Sequence, residues 1–155
     1  YRSEFLTDTR GTGLLNTQYD GYDEYRGDIW ARSNGSMISD RQGVTTAYAI
    51  WNLQERGRMF VLPGVDVYVG MIVGEHAKTN DLVVNITREK KLTNVRASGS
   101  DEAIRLVPIQ PMILEKAMEW ISDEELIEVT PSLVRLRCRQ LDPHKRGKKA
   151  TVDKD

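Results

Sequence analysis

The sequence predicts an α+β fold built mainly from antiparallel strands, with a barrel-like sheet and one or two short helices. Three observations support this fold class. Short strand-like runs separated by turn residues fill the chain from about residue 28 onward. One segment, residues 112–121, has the apolar spacing of an amphipathic helix. Gly70 and Gly74 fall inside a strand-like run, where glycine indicates bends or bulges.

The first residues predict the end of a smaller unit. Residues 10–13 contain two glycines that can stop a preceding helix, and residues 14–19 resemble a short strand. One helix end and one strand cannot bury a core alone, so we expect other parts of this unit upstream of Tyr1. The expected organisation follows: an end of one domain at 1–22, a linker at 23–27, the main domain at 28–141 and a basic flexible tail at 142–155.

The first half of the main domain predicts several elements in succession. Asn34-Gly35 is a dipeptide suited to a two-residue hairpin turn, here between strands at 29–32 and 37–39. A turn is expected at 40–43, a helix of about two turns at 46–55 ended by Gly57, and a strand at 59–62. Pro63-Gly64 predicts a turn before one long strand at 65–73.

The second half adds two strands, a helix and a hairpin. Strands are expected at 82–86 and 102–107, on either side of a polar segment. The helix at 112–121 has an apolar face made of Ile113, Leu114, Ala117, Met118 and Ile121. A hairpin then joins 126–130 to 133–139, with Val134, Leu136 and Cys138 directed to the core and Arg135, Arg137 and Arg139 on the other face.

The polar segment is strongly basic. Residues 88–96 hold four cations and one anion, a local charge of +3 in a chain whose net charge is -1. A second basic region, 135–149, has seven cations and one anion, while 115–128 has six acids and one lysine. This segregation favours a surface that faces a polyanion, although a solvated surface without function is an equally good interpretation of the composition alone.

Enzyme chemistry finds no support in the sequence. A P-loop is absent, a lone cysteine forms no internal disulfide, and two distant histidines give no metal-ligand spacing. The acidic pairs at 101–102 and 123–125 and the Glu75-His76 pair are interpreted as solvated charges, and Cys138 as a small core residue. We therefore expect no catalytic residues, metal or cofactor in this chain. No apolar run is long enough for a membrane span, and an intracellular, cytoplasmic protein is expected.

Five motifs resemble one known family, the BipA/TypA translational GTPases, over nearly the whole chain to about residue 144. They are RSEFLTDTRGTG (2–13), AYAIWNLQERGR (47–58), GMIVG (70–74), KLTNVRASG (91–99) and VTP (129–131). The resemblance implies that residues 1–22 end a ferredoxin-like domain and that the main domain is a family-specific ribosome-binding domain. GTP and Mg²⁺ would bind only in an N-terminal domain outside this chain.

The same resemblance implies a role in large-subunit assembly and stress-adapted translation, with the basic segment touching large-subunit rRNA and the acceptor end of the A-site tRNA. The implied contact residues are Arg88, Lys90, Lys91, Thr93, Asn94, Arg96 and Ser98. A possible second basic surface comprises Arg135, Arg137, Arg139, Lys145, Arg146, Lys148 and Lys149. The chain is expected to act as a monomer. The alternative is a docking module for a ribosomal protein.

Overall fold

A computed structural model of the chain describes residues 2–25, 32–90 and 104–146. The helices in these ranges are α1 (Arg2–Asp8), α2 (Ala47–Gln54) and α3 (Leu114–Trp120). The strands are β1 (Ser36–Ser39), β2 (Gly43–Val44), β3 (Gly57–Met59), β4 (Asp66–Val67), β5 (Met71–His76), β6 (Leu82–Val84), β7 (Glu125–Val129) and β8 (Val134–Cys138).

Strand β5 is the centre of a six-stranded sheet. The strand order is β6-β1-β5-β8-β7, and β3 also pairs with β5. The β1–β6 pair is parallel, whereas β5 pairs antiparallel with β1, β3 and β8. The expected α+β class with mainly antiparallel strands is confirmed. The described strands form an open sheet and not a closed ring, so the barrel-like closure is not confirmed.

Successive side chains of β5 point to opposite faces of the sheet, and each face packs against other parts of the domain. On one side Met71 and Val73 join Ile50 of α2 in the first core cluster. On the other side Ile72 joins Ala117 of α3 and Leu136 of β8 in the second core cluster. Helices α2 and α3 therefore lie on opposite faces of the sheet.

The long strand expected at 65–73 is wrong in one respect. Gly70 has φ +86°, a conformation that breaks the run into β4 and β5, and its N–H donates to the carbonyl of Ser39 at 3.0 Å. Gly74 lies at a bulge: Met37 pairs with Gly74, but Ile38 pairs with Ile72, so Val73 is extra. Bends at the two glycines are thus confirmed, while the single continuous strand is not.

The tight hairpin expected at Asn34-Gly35 is wrong. Neither residue has the positive φ that such a turn requires. The Gly35 N–H donates to the carbonyl of Lys78, and its carbonyl accepts from the N–H of His76. Long-range pairing with the end of β5 therefore replaces the local turn. The first strand expected there lies largely outside the described residues.

Two other expected strands form no ladder. No described residue pairs with 14–19 as a strand, and Leu14 is 91% exposed. Residues 104–107 also lack strand pairing, and 102–103 lie outside the described residues, as do 147–155 of the tail. The helix expected to stop near residues 10–13 is confirmed, because α1 ends at Asp8 and Arg10 and Gly11 have positive φ. The domain boundaries at 22, 27 and 141 and the ferredoxin-like assignment stay predictions.

The two helices of the main domain are confirmed, but the apolar face of α3 is not as expected. Of the five residues of this face, only Ala117 is fully buried. Met118 is 65% exposed, and Ile113 and Leu114 are exposed as well. The small side chain of Ala117 lets α3 approach the sheet closely, and Trp120, one turn on, packs on the second core cluster. The remaining apolar side chains of α3 are left on the surface.

A buried ion pair joins the start of the main domain to its last hairpin. The two Nη atoms of Arg32 donate to the two carboxylate oxygens of Glu125 at 3.0 and 2.9 Å. The side chains of Arg32 and Glu125 are only 12% and 6% exposed. Glu125 also accepts from the Ser36 hydroxyl and the Ser122 N–H. The expectation that Glu125 is a solvated charge is therefore wrong.

Trp120 completes this network with aromatic contacts. The guanidinium of Arg32 lies 3.8 Å from the Trp120 ring centroid, a cation–π geometry. Phe60 meets the same indole edge to face, with centroids 5.2 Å apart. The network thus fixes the orientation of α3 on the sheet.

Arg32→Ala is expected to destabilise the domain by about 3–5 kcal/mol, because it leaves the Glu125 carboxylate buried without its charge partner. Urea unfolding followed by circular dichroism measures this change. Arg41→Ala is the control, since Arg41 makes a similar two-bond pair with Asp40 on the surface. Solvent screens the exposed pair, so its loss is expected to have a much smaller effect, and equal losses in the two variants would contradict the assigned role of the buried pair.

Candidate nucleic-acid interface

The described start of the basic segment, residues 88–90, lies at the N-terminus of α2. Thr46 is the N-cap residue of α2: its Oγ1 accepts from the N–H of Ala49 at 3.1 Å. The same hydroxyl donates to the carbonyl of Arg88 at 2.6 Å. The N–H of Thr46 also donates to the carbonyl of Ile86, which is fully buried. One threonine therefore starts the helix and fixes the first end of the basic segment.

The chain returns to the domain at the C-terminus of the same helix. The side-chain amide of Gln54, the last residue of α2, donates to the carbonyl of Val107 at 2.8 Å and accepts from its N–H at 2.9 Å. Leu106 and Ile109 on either side pack against the first core cluster. An amide side chain thus takes the place of the strand pairing expected for this stretch.

Helix α2 consequently sets the separation between the two attachment points. Its eight residues span about 12 Å at 1.5 Å per residue. Ala49 and Ile50 bury its inner side and hold it on the sheet. The segment 91–103 is therefore connected to a rigid element at both ends.

Only part of the expected contact set lies within the described residues. Arg88 and Lys90 are exposed next to the Thr46 attachment. Lys91, Thr93, Asn94, Arg96 and Ser98 lie outside the described residues. The residues that hold the segment, Thr46 and Gln54, were not among the predicted site residues. A threonine before an apolar-periodic run is an N-cap signal for Thr46, but no local pattern indicates the role of Gln54.

The second basic surface is less open than its sequence predicts. Arg135 lies opposite Glu128 across the β7–β8 pair. Arg146 uses its guanidinium to bind the carbonyls of Gln140 and Leu141, and Lys145 pairs with Asp142 at 3.9 Å. Several of these cations therefore serve the fold. Lys148 and Lys149 lie outside the described residues.

Tyr68 lies on the same side of the sheet as the arginines of β8. Its hydroxyl donates to Glu128 at 2.8 Å. Burial, and then the hydrogen bond to Glu128, raise the pKa of Tyr68 to about 12, against a smaller opposing effect of Arg137 and Arg135. The surface expected to be a row of free arginines thus includes a carboxylate and a protonated tyrosine.

Glu75, His76 and Cys138, which were considered for catalysis, have structural roles, whereas Asp123 and Glu124 are exposed and Asp101 and Glu102 lie outside the described residues. His76 is buried, with Nδ1 2.6 Å from the carbonyl of Asn80, and Glu75 accepts from Asn34. Cys138 is a buried free thiol, as predicted, and burial raises its pKa, which disfavours the reactive thiolate. Within 2–25, 32–90 and 104–146, no three metal-ligating side chains are grouped. The helices in those ranges are too short or too polar to cross a bilayer.

An apolar groove of about 410 Å³ lies beside the N-terminus of α3 and is lined by residues of both core clusters, among them Met71 and Phe60. Ile113 and Leu114 form one wall, and Leu133 and Arg135 of the β7–β8 hairpin form the other. The Nε of Arg135 is buried and has no hydrogen-bond partner among the described residues. The groove was not predicted, because its apolar side chains had been assigned to the core.

The described residues form an α+β domain with mainly antiparallel strands, and the chain belongs to the TypA/BipA C-terminal domain family. The family model matches residues 34–143. The resemblance found in the sequence is thereby confirmed.

Curated relatives match the whole chain. It is 49% identical over 156 residues to the large ribosomal subunit assembly factor BipA of Escherichia coli K12, covering 100% of this chain and 26% of that protein. The factor of the same name from Salmonella typhimurium LT2 is 50% identical over 147 residues, 94% of this chain and 24% of the relative. That of Haemophilus influenzae is 45% identical over 155 residues, 98% and 25%. The chain spans about a quarter of the length of these relatives.

Thr46→Ala is expected to lower stability by about 1 kcal/mol through loss of the N-cap, and to speed amide exchange at residues 86–90 through loss of the Arg88 contact. Hydrogen exchange by NMR and thermal unfolding measure the two effects. Thr46→Ser keeps the hydroxyl and is the matched control. Equal exchange at residues 86–90 in the alanine and serine variants would contradict the second role of Thr46.

Stability is expected to fall as pH rises from about 10 to 12, with Tyr68 contributing. Its folded pKa of about 12 exceeds the ordinary tyrosine pKa of about 10, so in this window the folded state binds more protons than the unfolded state. The contribution is fully present below pH 10 and is lost as pH passes the folded pKa. Ultraviolet titration of tyrosinate should show one late transition that Tyr68→Phe removes and Glu128→Gln shifts to lower pH. A late transition retained in Tyr68→Phe would contradict the assignment.

Proposed function

We propose that this chain is the ribosome-binding, RNA-contacting module of a GTP-binding translation factor that serves large-subunit assembly and stress-adapted translation. Its basic segment contacts large-subunit rRNA and the acceptor end of the A-site tRNA. The chain acts as a monomer in the cytoplasm and performs no catalysis itself. GTP and Mg²⁺ belong to a part of the protein outside this chain.

The observation that supports this proposal is the attachment of the basic segment to both ends of α2. Thr46 fixes the carbonyl of Arg88, and Gln54 fixes the backbone of Val107. Attachment at two points reduces the conformational freedom that the segment loses on binding, which improves affinity without new contacts. The names of the relatives, which are large ribosomal subunit assembly factors, support the choice of ribosome as the partner.

The residue types of the segment suit RNA contacts. Arg88, Lys90, Lys91 and Arg96 would neutralise phosphates and release counterions, which makes affinity dependent on salt. Thr93, Asn94 and Ser98 would donate to or accept from sugar and phosphate oxygens. The arginines and lysines of the second basic surface add long-range attraction, reduced where Glu128 and Asp142 lie next to them.

A second candidate function is docking of a ribosomal protein at the apolar groove beside α3. Exposed Ile113, Leu114 and Leu133 would be covered by an apolar segment of that protein. Burial of such a surface depends weakly on salt, which separates it from RNA binding.

Sedimentation of the chain with ribosomes over a salt series is expected to show affinity that falls steeply with salt. The variant Lys90→Glu/Lys91→Glu/Arg96→Glu is expected to lose most of the binding, with a log–log slope reduced by about 2, since each single-strand phosphate contact contributes about 0.7. The control Arg2→Glu/Arg10→Glu/Lys78→Glu makes the same change in net charge at exposed positions away from the segment. Circular dichroism verifies that both variants fold.

The segment variant, its charge-matched control and Leu133→Asp together distinguish RNA binding by the segment from protein docking at the groove. Binding that survives in the first triple variant as in the control would contradict RNA contact by the segment. If Leu133→Asp then abolished that binding with little dependence on salt, the groove would be the docking site instead.

A further inference from the structure

Helix α2 has an aromatic side chain that the core does not use. Trp51 is 45% exposed, whereas Ala49 and Ile50 make the buried contacts of the helix. Gln54 lies three residues further along, so the two side chains share one flank of α2. Trp51 therefore lies between the two attachment points of the basic segment, on the flank where the chain returns at Val107.

The charged groups near this flank are mostly positive. Arg88 and Lys90 are exposed at one end of α2, and Arg56 and Arg105 are exposed at the other. Among the described residues next to these cations in sequence, the acids are Glu55 and Glu89; Asp101 and Glu102 lie outside the described residues. Four cations against two acids leave a positive surplus around an exposed indole.

An exposed aromatic ring among cations suits single-stranded nucleic acid. Unpaired bases stack on aromatic side chains, while cations beside the ring bind the phosphates that connect those bases. The flank of α2 where Val107 is bound has an exposed valine but also cations at both ends of the helix, whereas the groove beside α3 is lined mostly by apolar side chains. The positive charge at both ends of α2 therefore favours RNA over a protein as the partner of Trp51.

We propose that Trp51 is a stacking platform for an unpaired base of single-stranded RNA bound along α2. This inference rests on the proposed RNA-binding function and adds a specific contact to it. Exposed Arg88 and Lys90 supply phosphate contacts, and the indole supplies a contact to a base face that does not depend on charge.

The test measures binding of the full 155-residue chain to short oligoadenosine and to an abasic oligonucleotide of equal length and charge. Trp51→Ala is expected to weaken binding to oligoadenosine roughly 5- to 150-fold, the range for loss of one base–aromatic stack. Binding to the abasic strand and the salt slope are expected to stay unchanged, since no phosphate contact is lost. Trp51→Phe retains a ring and is expected to bind within a few-fold of the parent.

Met118→Ala is the matched control, because it truncates an exposed apolar side chain of α3 on the opposite face of the sheet. It is expected to bind like the parent. Fluorine NMR of 5-fluorotryptophan protein adds a direct readout. The resonance assigned by its loss in Trp51→Phe is expected to shift with oligoadenosine and not with the abasic strand.

Each other outcome overturns the inference in a distinguishable way. If Trp51→Ala binds oligoadenosine like the parent while the triple charge reversal does not, the stacking platform is wrong and the RNA-binding function stands. If Trp51→Ala loses ribosome sedimentation but keeps oligoadenosine binding, Trp51 contacts a protein. If the parent binds neither oligonucleotide nor ribosomes, the proposed function and the inference both fall.

Discussion

The guanidinium of Arg32 and the carboxylate of Glu125 meet inside the protein, where either charge alone would be costly. Two hydrogen bonds join the two charged groups, and the Ser36 hydroxyl and the Ser122 N–H also donate to the Glu125 carboxylate. Because Ser36 begins β1 and Glu125 begins β7, the ion pair connects opposite parts of the sheet. Trp120 lies against the same guanidinium, so α3 can occupy only one position on the second core cluster.

With α3 fixed on one face, the other face of the sheet is free to hold α2. Ile50 connects that helix to Met71 and Val73 of the central strand. The inner side of α2 serves stability, while both ends and the outer flank are available to the basic segment. The same eight residues thus join the core to the surface proposed to contact RNA.

Local signals predicted the elements whose determinants are local. Thr46 and Gly57 bracket α2, Gly70 marks a break, and the alternation of Leu136 and Cys138 with arginines identifies the inner face of β8. The failures concern partners distant in sequence. Asn34-Gly35 has hairpin chemistry, but pairing with residues 76–78 overrides it. Glu125 was predicted to be a solvated charge like its acidic neighbours, because its partner Arg32 is 93 residues away in sequence. Gln54 binds Val107, which is 53 residues away. No pattern within a short window reports such contacts.

Those sequence distances also determine how the domain can assemble. A network that joins residues 93 positions apart forms only after a large loss of chain entropy, and non-local pairing of this kind slows folding. Strand β8 lies between β5 and β7 in the sheet and covers Ile72 from the end of the domain. During synthesis the earlier strands are made before the last hairpin, so nascent chains that stop before residue 125 leave Ile72 without Leu136 and Arg32 without Glu125.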